Sequence, residues 1–534
     1  MTPNVAVLLL IVGAAGVLAG LLPGFRFAGA LAALAALLAL LAVLLMGFWL
    51  PAASTVARWP GGVLVLAAEP RPWLFSLAFL VVVFGLQLSG AVRSGGRRVA
   101  VRCCSLVLAA AVLSVIFAAD LLTLAVAWAA ADLAEFALCL AGREADKHSS
   151  DAVTAGALRL GLNLAALAAL TVAALDLSQS VGLKLGSAAL PERTTAWLWI
   201  AAAVRLHLFP MQLVMHAGGG ERRGRAALLL LAPLACTTVL LAALAAQPPS
   251  ATLSAVLSAA AVASALSGGW KFYAERDVQL APGNLGLAFS GVTMLVALHA
   301  GSAAASGVML LGVTAMITCG TLFAYLGFVR SDAAWVAAPV LAAAIIAGLP
   351  FTVGFVALRT VAAGLLHNAA PLWLLLFLIA LIFMAAGMLR QALRPGVAPN
   401  WSEPFASTAY LFGLGAPLAF AVAVGSAPAA LGRMLGEAET AARPAANLLA
   451  AGCALLVSGA ALVLWRLRPV IVEWVRRWLV IPEFLRWQSV YAGVWHGYRS
   501  TGRTLRVAAA VLEGDGGVLW MLVGALLAGL LVEL

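Results

Sequence analysis

The sequence predicts an all-α polytopic membrane protein with about sixteen transmembrane helices. Three observations carry that prediction. Of 534 residues, 64% are hydrophobic and 10% charged, and the mean hydropathy is +1.07, which leaves too little polar surface for a water-soluble globule. Apolar stretches of about 20 residues, the length that crosses a bilayer as a helix, recur with short polar joints along almost the whole chain. Stretches such as 31–50 and 371–389 are apolar on every face. A strand of a transmembrane barrel would instead alternate apolar and polar residues over roughly 10 positions.

The spans read, in order, as 5–22, 28–50, 73–92, 103–119, 120–141, 152–176, 194–216, 226–247, 252–272, 282–300, 304–329, 333–366, 371–392, 405–425, 445–466 and 517–533. Val5–Leu22 reads as the first span rather than a cleaved leader, because it lacks a basic n-region and a short A-x-A site. Spans four and five nearly touch at Asp120. The twelfth is too long for one straight crossing and carries Gly348-Leu349-Pro350 in its middle, where the proline removes an intrahelical hydrogen bond, so a broken or kinked helix is expected.

Charge placement tests this count. Of the 32 Lys and Arg residues, 23 fall on loops after odd-numbered spans, 6 on the opposite face (Arg58, Arg71, Lys184, Arg193, Arg433, Arg443), and 3 within spans (Arg159, Arg205, Arg359). The positive-inside rule then makes the odd loops cytoplasmic and puts both termini outside, as for a multi-pass protein of a prokaryotic inner membrane. A miscounted span would invert every loop after it.

The net charge of +11 does not indicate nucleic acid, because the basic residues are scattered over loops rather than gathered with interleaved aromatics. The six cysteines lie almost entirely inside apolar runs and form no C-x-x-C pair, which excludes a disulfide framework and a zinc or iron–sulfur site and makes them small core residues. The histidines have no spacing suited to a bis-histidine haem, and no loop carries a phosphate-binding or nucleophile motif, so no cofactor and no catalytic centre are expected. Between the last two spans, Pro469–Gly516 mixes Trp474, Trp478, Trp487 and Trp495 with Arg476, Arg477, Arg486 and Arg499. This is the composition of helices lying at the cytoplasmic interface, a strap against anionic lipid or along a neighbouring subunit.

Four segments resemble motifs of the antiporter-like subunits of respiratory complex I, Mrp antiporters and membrane-bound hydrogenases. Asp120-Leu-Leu-Thr-Leu-Ala-Val-Ala-Trp128 is similar to the family's fifth-helix motif, and Arg205-Leu-His-Leu-Phe-Pro210-Met-Gln-Leu to its seventh-helix signature. Lys271-Phe-Tyr-Ala-Glu-Arg-Asp277 resembles the loop after helix nine, and Gly348-Leu-Pro350-Phe-Thr-Val-Gly354-Phe355 the broken twelfth helix. The likeness covers about residues 60–430 and is closest to the L-type members, such as the L subunit of NADH-quinone oxidoreductases. It implies two inverted five-helix repeats with helices seven and twelve broken, at Pro210 and Pro350. The chain then divides into spans one to three (1–102), the first repeat (103–247), the second (252–392), spans fourteen and fifteen (405–466), the strap (467–516) and a last span (517–534).

In the family a helix-five glutamate pairs with the helix-seven lysine, and further lysines and histidines continue a polar axis along which protons pass. Here the glutamate position is Ala129, the lysine is Arg205, and the histidine after the proline is Gln212. Span eight offers only Cys236, span eleven only Cys319 and Tyr325, and Leu358 stands at the lysine position of span twelve, with Arg359 next to it. An arginine keeps its proton at neutral pH, whereas a desolvated lysine can release one. Asp132, one turn beyond Ala129 on the same face, is the expected partner of Arg205, with Glu135 a further turn along. That pair reads as a structural ion pair or as part of an altered ion path. His207 reads as a shuttle or a core histidine, and Arg359 as pairing across the broken helix or facing a subunit. Arg159 is expected to face lipid or a partner, His216 the interface, and Lys271, Glu275, Arg276 and Asp277 a solvated loop.

Three functions follow. The chain is an ion-translocating subunit of a multi-subunit energy-converting complex, such as an ion-translocating oxidoreductase moving protons or sodium. Or it is a non-conducting scaffold that anchors other membrane subunits or a peripheral soluble enzyme. Or it pairs with a soluble zinc protein in inorganic-carbon uptake. The missing titratable groups favour descent from a translocator with its proton axis degraded.

Overall fold

A computed structural model of the chain describes residues 13, 28–49, 53–59, 62–93, 99–143, 150–178, 190–211, 225–275, 280–325, 333–393, 404–435 and 444–478. The first and last predicted spans, Gln212, His216, Asp277 and the strap beyond Trp478 lie outside these residues. The chain separates into two compact units, 1–467 and 468–534.

The helices are α1 (Ala28–Met46), α2 (Pro70–Arg93), α3 (Val99–Ile116), α4 (Leu121–Arg143), α5 (Ser150–Ser178), α6 (Glu192–Arg205), α7 (Arg225–Leu244) and α8 (Ala251–Ala274). They continue as α9 (Ala281–His299), α10 (Ala304–Tyr325), α11 (Ala333–Ile346), α12 (Val353–His367), α13 (Pro371–Ala392), α14 (Pro404–Ser426), α15 (Pro428–Leu435) and α16 (Pro444–Trp478). Predicted spans two to eleven are α1 to α10, span twelve is α11 with α12, and spans thirteen to fifteen are α13, α14 and α16. Ten described helices are long and apolar enough to cross a membrane, and four shorter apolar ones accompany them. The chain is an all-α polytopic membrane protein.

The helix α10 is the axis of the molecule: its residues are buried throughout, packed by α2, α7, α9, α11, α12 and α14. Without a hydrophobic drive between helices in lipid, close packing needs small residues. Gly291 on α9 shows why. A Cβ there would lie 2.4 Å from the Ala261 carbonyl oxygen and the Ala265 nitrogen of α8.

One element departs from the sequence reading. The segment before α2, expected as a plain loop, forms a hairpin of β1 (Ala53–Trp59) and β2 (Gly62–Ala68), paired from Ala53↔Ala68 to Trp59↔Gly62. Its signal is present in Pro60-Gly61-Gly62 between Ser54-Thr-Val56 and Val63-Leu-Val65, a turn flanked by β-branched residues. The outer edge of β2 pairs with the connector between α3 and α4, through Ala67 N–H to Phe117 O (2.8 Å) and Ala119 N–H to Val65 O (3.0 Å). Asp120 opens α4 by accepting from the Thr123 N–H (2.7 Å) and hydroxyl (2.8 Å), and Thr123 Oγ1 in turn accepts from Val65 N–H (2.8 Å). An N-cap thus also fastens the hairpin.

Both expected helix breaks begin in the same way. At the end of α6, Leu206 N–H donates to Ala202 O, His207 N–H to Val204 O and Leu208 N–H to Ala203 O. At the end of α11, Ala347 N–H donates to Ala343 O, Gly348 N–H to Ile345 O and Leu349 N–H to Ala344 O. Each is a Schellman motif with a left-handed residue, His207 (φ 50°) and Gly348 (φ 73°), at the same step. Pro210 lies three residues past its left-handed residue and Pro350 two, so the prolines alone misalign the two turns by one position. The chain resumes as a helix at Val353, capped by Thr352, whose Oγ1 accepts from Phe355 N–H (3.3 Å). Gly354 is required here, because its Cβ would sit 1.7 Å from the Ile345 carbonyl oxygen.

Candidate functional site

The buried charges are unevenly distributed. Among the described residues, Asp120, Asp132, Glu135, Arg159, Arg205 and His207 are buried in α4 to α6 and their connections, and after them only Arg359. An isolated charge within a bilayer is unfavourable by several kcal/mol, about 2.5–3.5 even on insertion scales, so such groups persist where they are paired.

Arg205, the last residue of α6, is 1% exposed. Its guanidinium meets Asp132 of α4 as a fork, Nη2 to Oδ1 at 2.8 Å and Nη1 to Oδ2 at 3.2 Å. Its Cζ stands 4.3 Å from the centre of the Trp128 ring. Trp128, Asp132 and Glu135 follow one another at helical spacing and so share a face of α4, which presents both a carboxylate and an aromatic surface to one cation.

Glu135 has its own partners on α5. Arg159 Nε lies 2.9 Å from Glu135 Oε1, a charge contact whose angle falls short of a hydrogen bond, and Asn163 Nδ2 donates to Glu135 Oε2 at 3.0 Å. Arg159 Nη2 also donates to the Leu229 carbonyl oxygen of α7 (2.7 Å). This corrects the expectation that Arg159 faces lipid or a partner. A guanidinium in mid-helix turns toward the nearest carboxylate and a free carbonyl rather than toward hydrocarbon. The result is a buried quartet of two carboxylates and two guanidiniums with no net charge.

His207 completes the cluster. It is fully buried, within electrostatic reach of Arg159 and Arg205, and neither ring nitrogen has a hydrogen-bond partner. The next residue but one, Phe209, donates its N–H to Ser264 Oγ of α8 (2.7 Å), which ties the break to the start of the second half. Arg359 goes elsewhere: buried on α12, it donates to Asn447 Oδ1 of α16 at 3.3 Å, neither of the two placements expected for it.

Beyond the quartet the polar side chains turn inward on their own helices. On α7, the Thr237 and Thr238 hydroxyls donate to Pro233 O (2.6 Å) and Leu234 O (2.7 Å), beside buried Cys236. On α10, Thr314 and Thr318 donate to Leu310 O (2.8 Å) and Thr314 O (2.7 Å). Among the described residues no group of His, Cys, Asp and Glu could hold a metal ion.

The sequence matches no protein-family model and no curated protein. Solved structures are similar over most of the chain. A chain of the Mrp complex from Dietzia sp. DQ12-45-1b superposes with a TM-score of 0.76 at 18% identity, over 99% of this chain and 63% of that one. The present chain therefore spans less than two thirds of that relative's length. A chain of respiratory complex I from Thermus thermophilus gives 0.65 at 22% identity, over 85% and 99%. A chain of the membrane-bound sulfane sulfur reductase, an archaeal respiratory membrane complex, gives 0.68 at 14% identity, over 99% of both. The chain therefore has the fold of the antiporter-like membrane subunits of Mrp and respiratory complexes.

Proposed function

We propose that this protein is an antiporter-like membrane subunit of a multi-subunit energy-converting complex, in which the usual proton axis is degraded and the chain serves as a scaffold for its membrane partners. The observation that carries this is the closure of the quartet. Asp132 is held by a two-point fork, Arg205 cannot release its proton at neutral pH, and Glu135 is matched by Arg159 and Asn163. The hydroxyls of α7 and α10 named above give their protons to their own helices, leaving apolar walls of Ala, Leu and Val that stay dry.

The matched Schellman turns at His207 and Gly348 support two inverted five-helix repeats, 103–247 and 252–392, as the framework. The excess of Lys and Arg on the odd loops supports a prokaryotic inner membrane with both termini outside. Anionic lipid or a neighbouring subunit is the partner we assign to the strap, and a soluble enzyme docked on the complex is compatible with the scaffold.

The competing reading is an active proton or sodium translocator, and the unpartnered nitrogens of His207 are what favour it. The complex carrying Asp132→Leu with Arg205→Met separates the two. A scaffold predicts an assembled complex whose ion movement per turnover equals that of wild type. Loss of ion movement with assembly intact would establish the translocator.

A further inference from the structure

The two break turns have the same hydrogen bonds but not the same residue at the left-handed step. Gly348 fills it in the second, as the geometry asks, since glycine adopts positive φ without penalty. His207 fills it in the first. A non-glycine residue there costs roughly 1–2 kcal/mol. Each buried polar nitrogen without a partner costs about 1–3 kcal/mol more. A strained residue with unsatisfied polar atoms at a functional-looking break calls for a ligand.

Three more buried atoms of the same cluster lack a partner: Trp128 Nε1, Asn163 Oδ1 and Arg205 Nε. Their chemistry selects the ligand class. Trp128 Nε1 and Arg205 Nε are donors, Asn163 Oδ1 is an acceptor, and a neutral imidazole supplies one of each. An anion site would present donors alone and a cation site acceptors alone. The surrounding quartet, with two charges of each sign, adds no field to draw in an ion. We propose that the break of α6 is an internal hydration site, in which His207, Trp128, Asn163 and Arg205 bind ordered water, which needs two to four polar partners of mixed character.

Hydration stops at α7, because the hydroxyls of Thr237 and Thr238 are used within that helix. The site is a closed chamber and not one end of a water file. The inference rests on the quartet being charge-balanced but not on whether the chain conducts, so its test does not depend on ion flux.

Hydroxyl-radical labelling by synchrotron pulse on the full chain in its complex provides that test, since internal water marks the side chains it touches. Trp199 is the internal control, equally buried, with its Nε1 already donating to the Gln247 carbonyl oxygen (3.0 Å). Trp128 should be modified about fivefold or more faster than Trp199 in wild type, as a residue lining bound water. In His207→Phe that excess should vanish. Equal rates for the two tryptophans in wild type would overturn the proposal. So would an excess at Trp128 that survives His207→Phe, because the water would then not be held by the imidazole.

Discussion

Removing the Arg205 guanidinium while leaving the Asp132 carboxylate is the sharpest perturbation the fold offers. In wild type the fork at 2.8 and 3.2 Å satisfies both carboxylate oxygens, and the quartet is neutral. Arg205→Ala withdraws two charge-assisted hydrogen bonds and the stack on Trp128, and leaves the cluster with a net negative charge in an apolar core. Breaking a buried pair from one side costs about 3–5 kcal/mol. At 1.36 kcal/mol per decade that is a shift of roughly 100-fold to 5,000-fold in the folding equilibrium. Replacing both partners by apolar residues of similar volume, Asp132→Leu with Arg205→Met, removes the uncompensated charge and should return stability to within about 1–2 kcal/mol of wild type. Arg205→Lys keeps the charge but loses the planar fork and the stack, so it should fall between the two. Equilibrium unfolding in mixed micelles, followed by near-UV circular dichroism, measures all four proteins. A shift below about 1 kcal/mol for Arg205→Ala, or a double variant as unstable as the single, would refute a structural clamp.

Other expectations follow from the same geometry. Asp120→Ala removes the cap of α4 and frees the Thr123 side chain that holds Val65, so stability should drop by about 1–2 kcal/mol, with faster amide exchange at Val65. Gly354→Ala drives a methyl group to 1.7 Å from a backbone oxygen and should abolish the yield of monodisperse protein, while Gly415→Ala, with open space around it, should leave the yield unchanged. Arg159→Leu should destabilise by about 3–5 kcal/mol by orphaning Glu135, and Arg159→Leu with Glu135→Leu should recover most of that loss.

The spans, the two breaks and the meeting of Asp132 with Arg205 were legible in the sequence because each rests on local rules: span length, a proline or glycine in a long apolar run, and helical spacing. Arg159 was not, since nothing local distinguishes a cation aimed at lipid from one aimed at a carboxylate on the neighbouring helix. An accounting of sign would have helped. With Asp132 assigned to Arg205, Glu135 lacked a cation, and Arg159 was the remaining one in the first half of the chain. The hairpin was hidden by its position between two spans, where a turn signal is easily read as a loop. The exchange of glycine for His207 at the left-handed step emerges only when the breaks are aligned by their hydrogen bonds, because the prolines are offset by one residue. Arg359 meeting Asn447 is a contact 88 residues apart that no spacing rule reaches.

The central claim is that this antiporter-like fold holds its buried charges as a neutral clamp and does not carry protons along the line from α6 to α12 by itself. Purified chain reconstituted in liposomes, with an imposed pH gradient and an internal pH dye, measures this directly. The account predicts proton flux at the level of protein-free liposomes, unchanged by Asp132→Asn or Arg205→Ala in protein that remains folded. A robust flux in wild type that either substitution abolishes, with folding intact, would contradict it and place both residues in a working path.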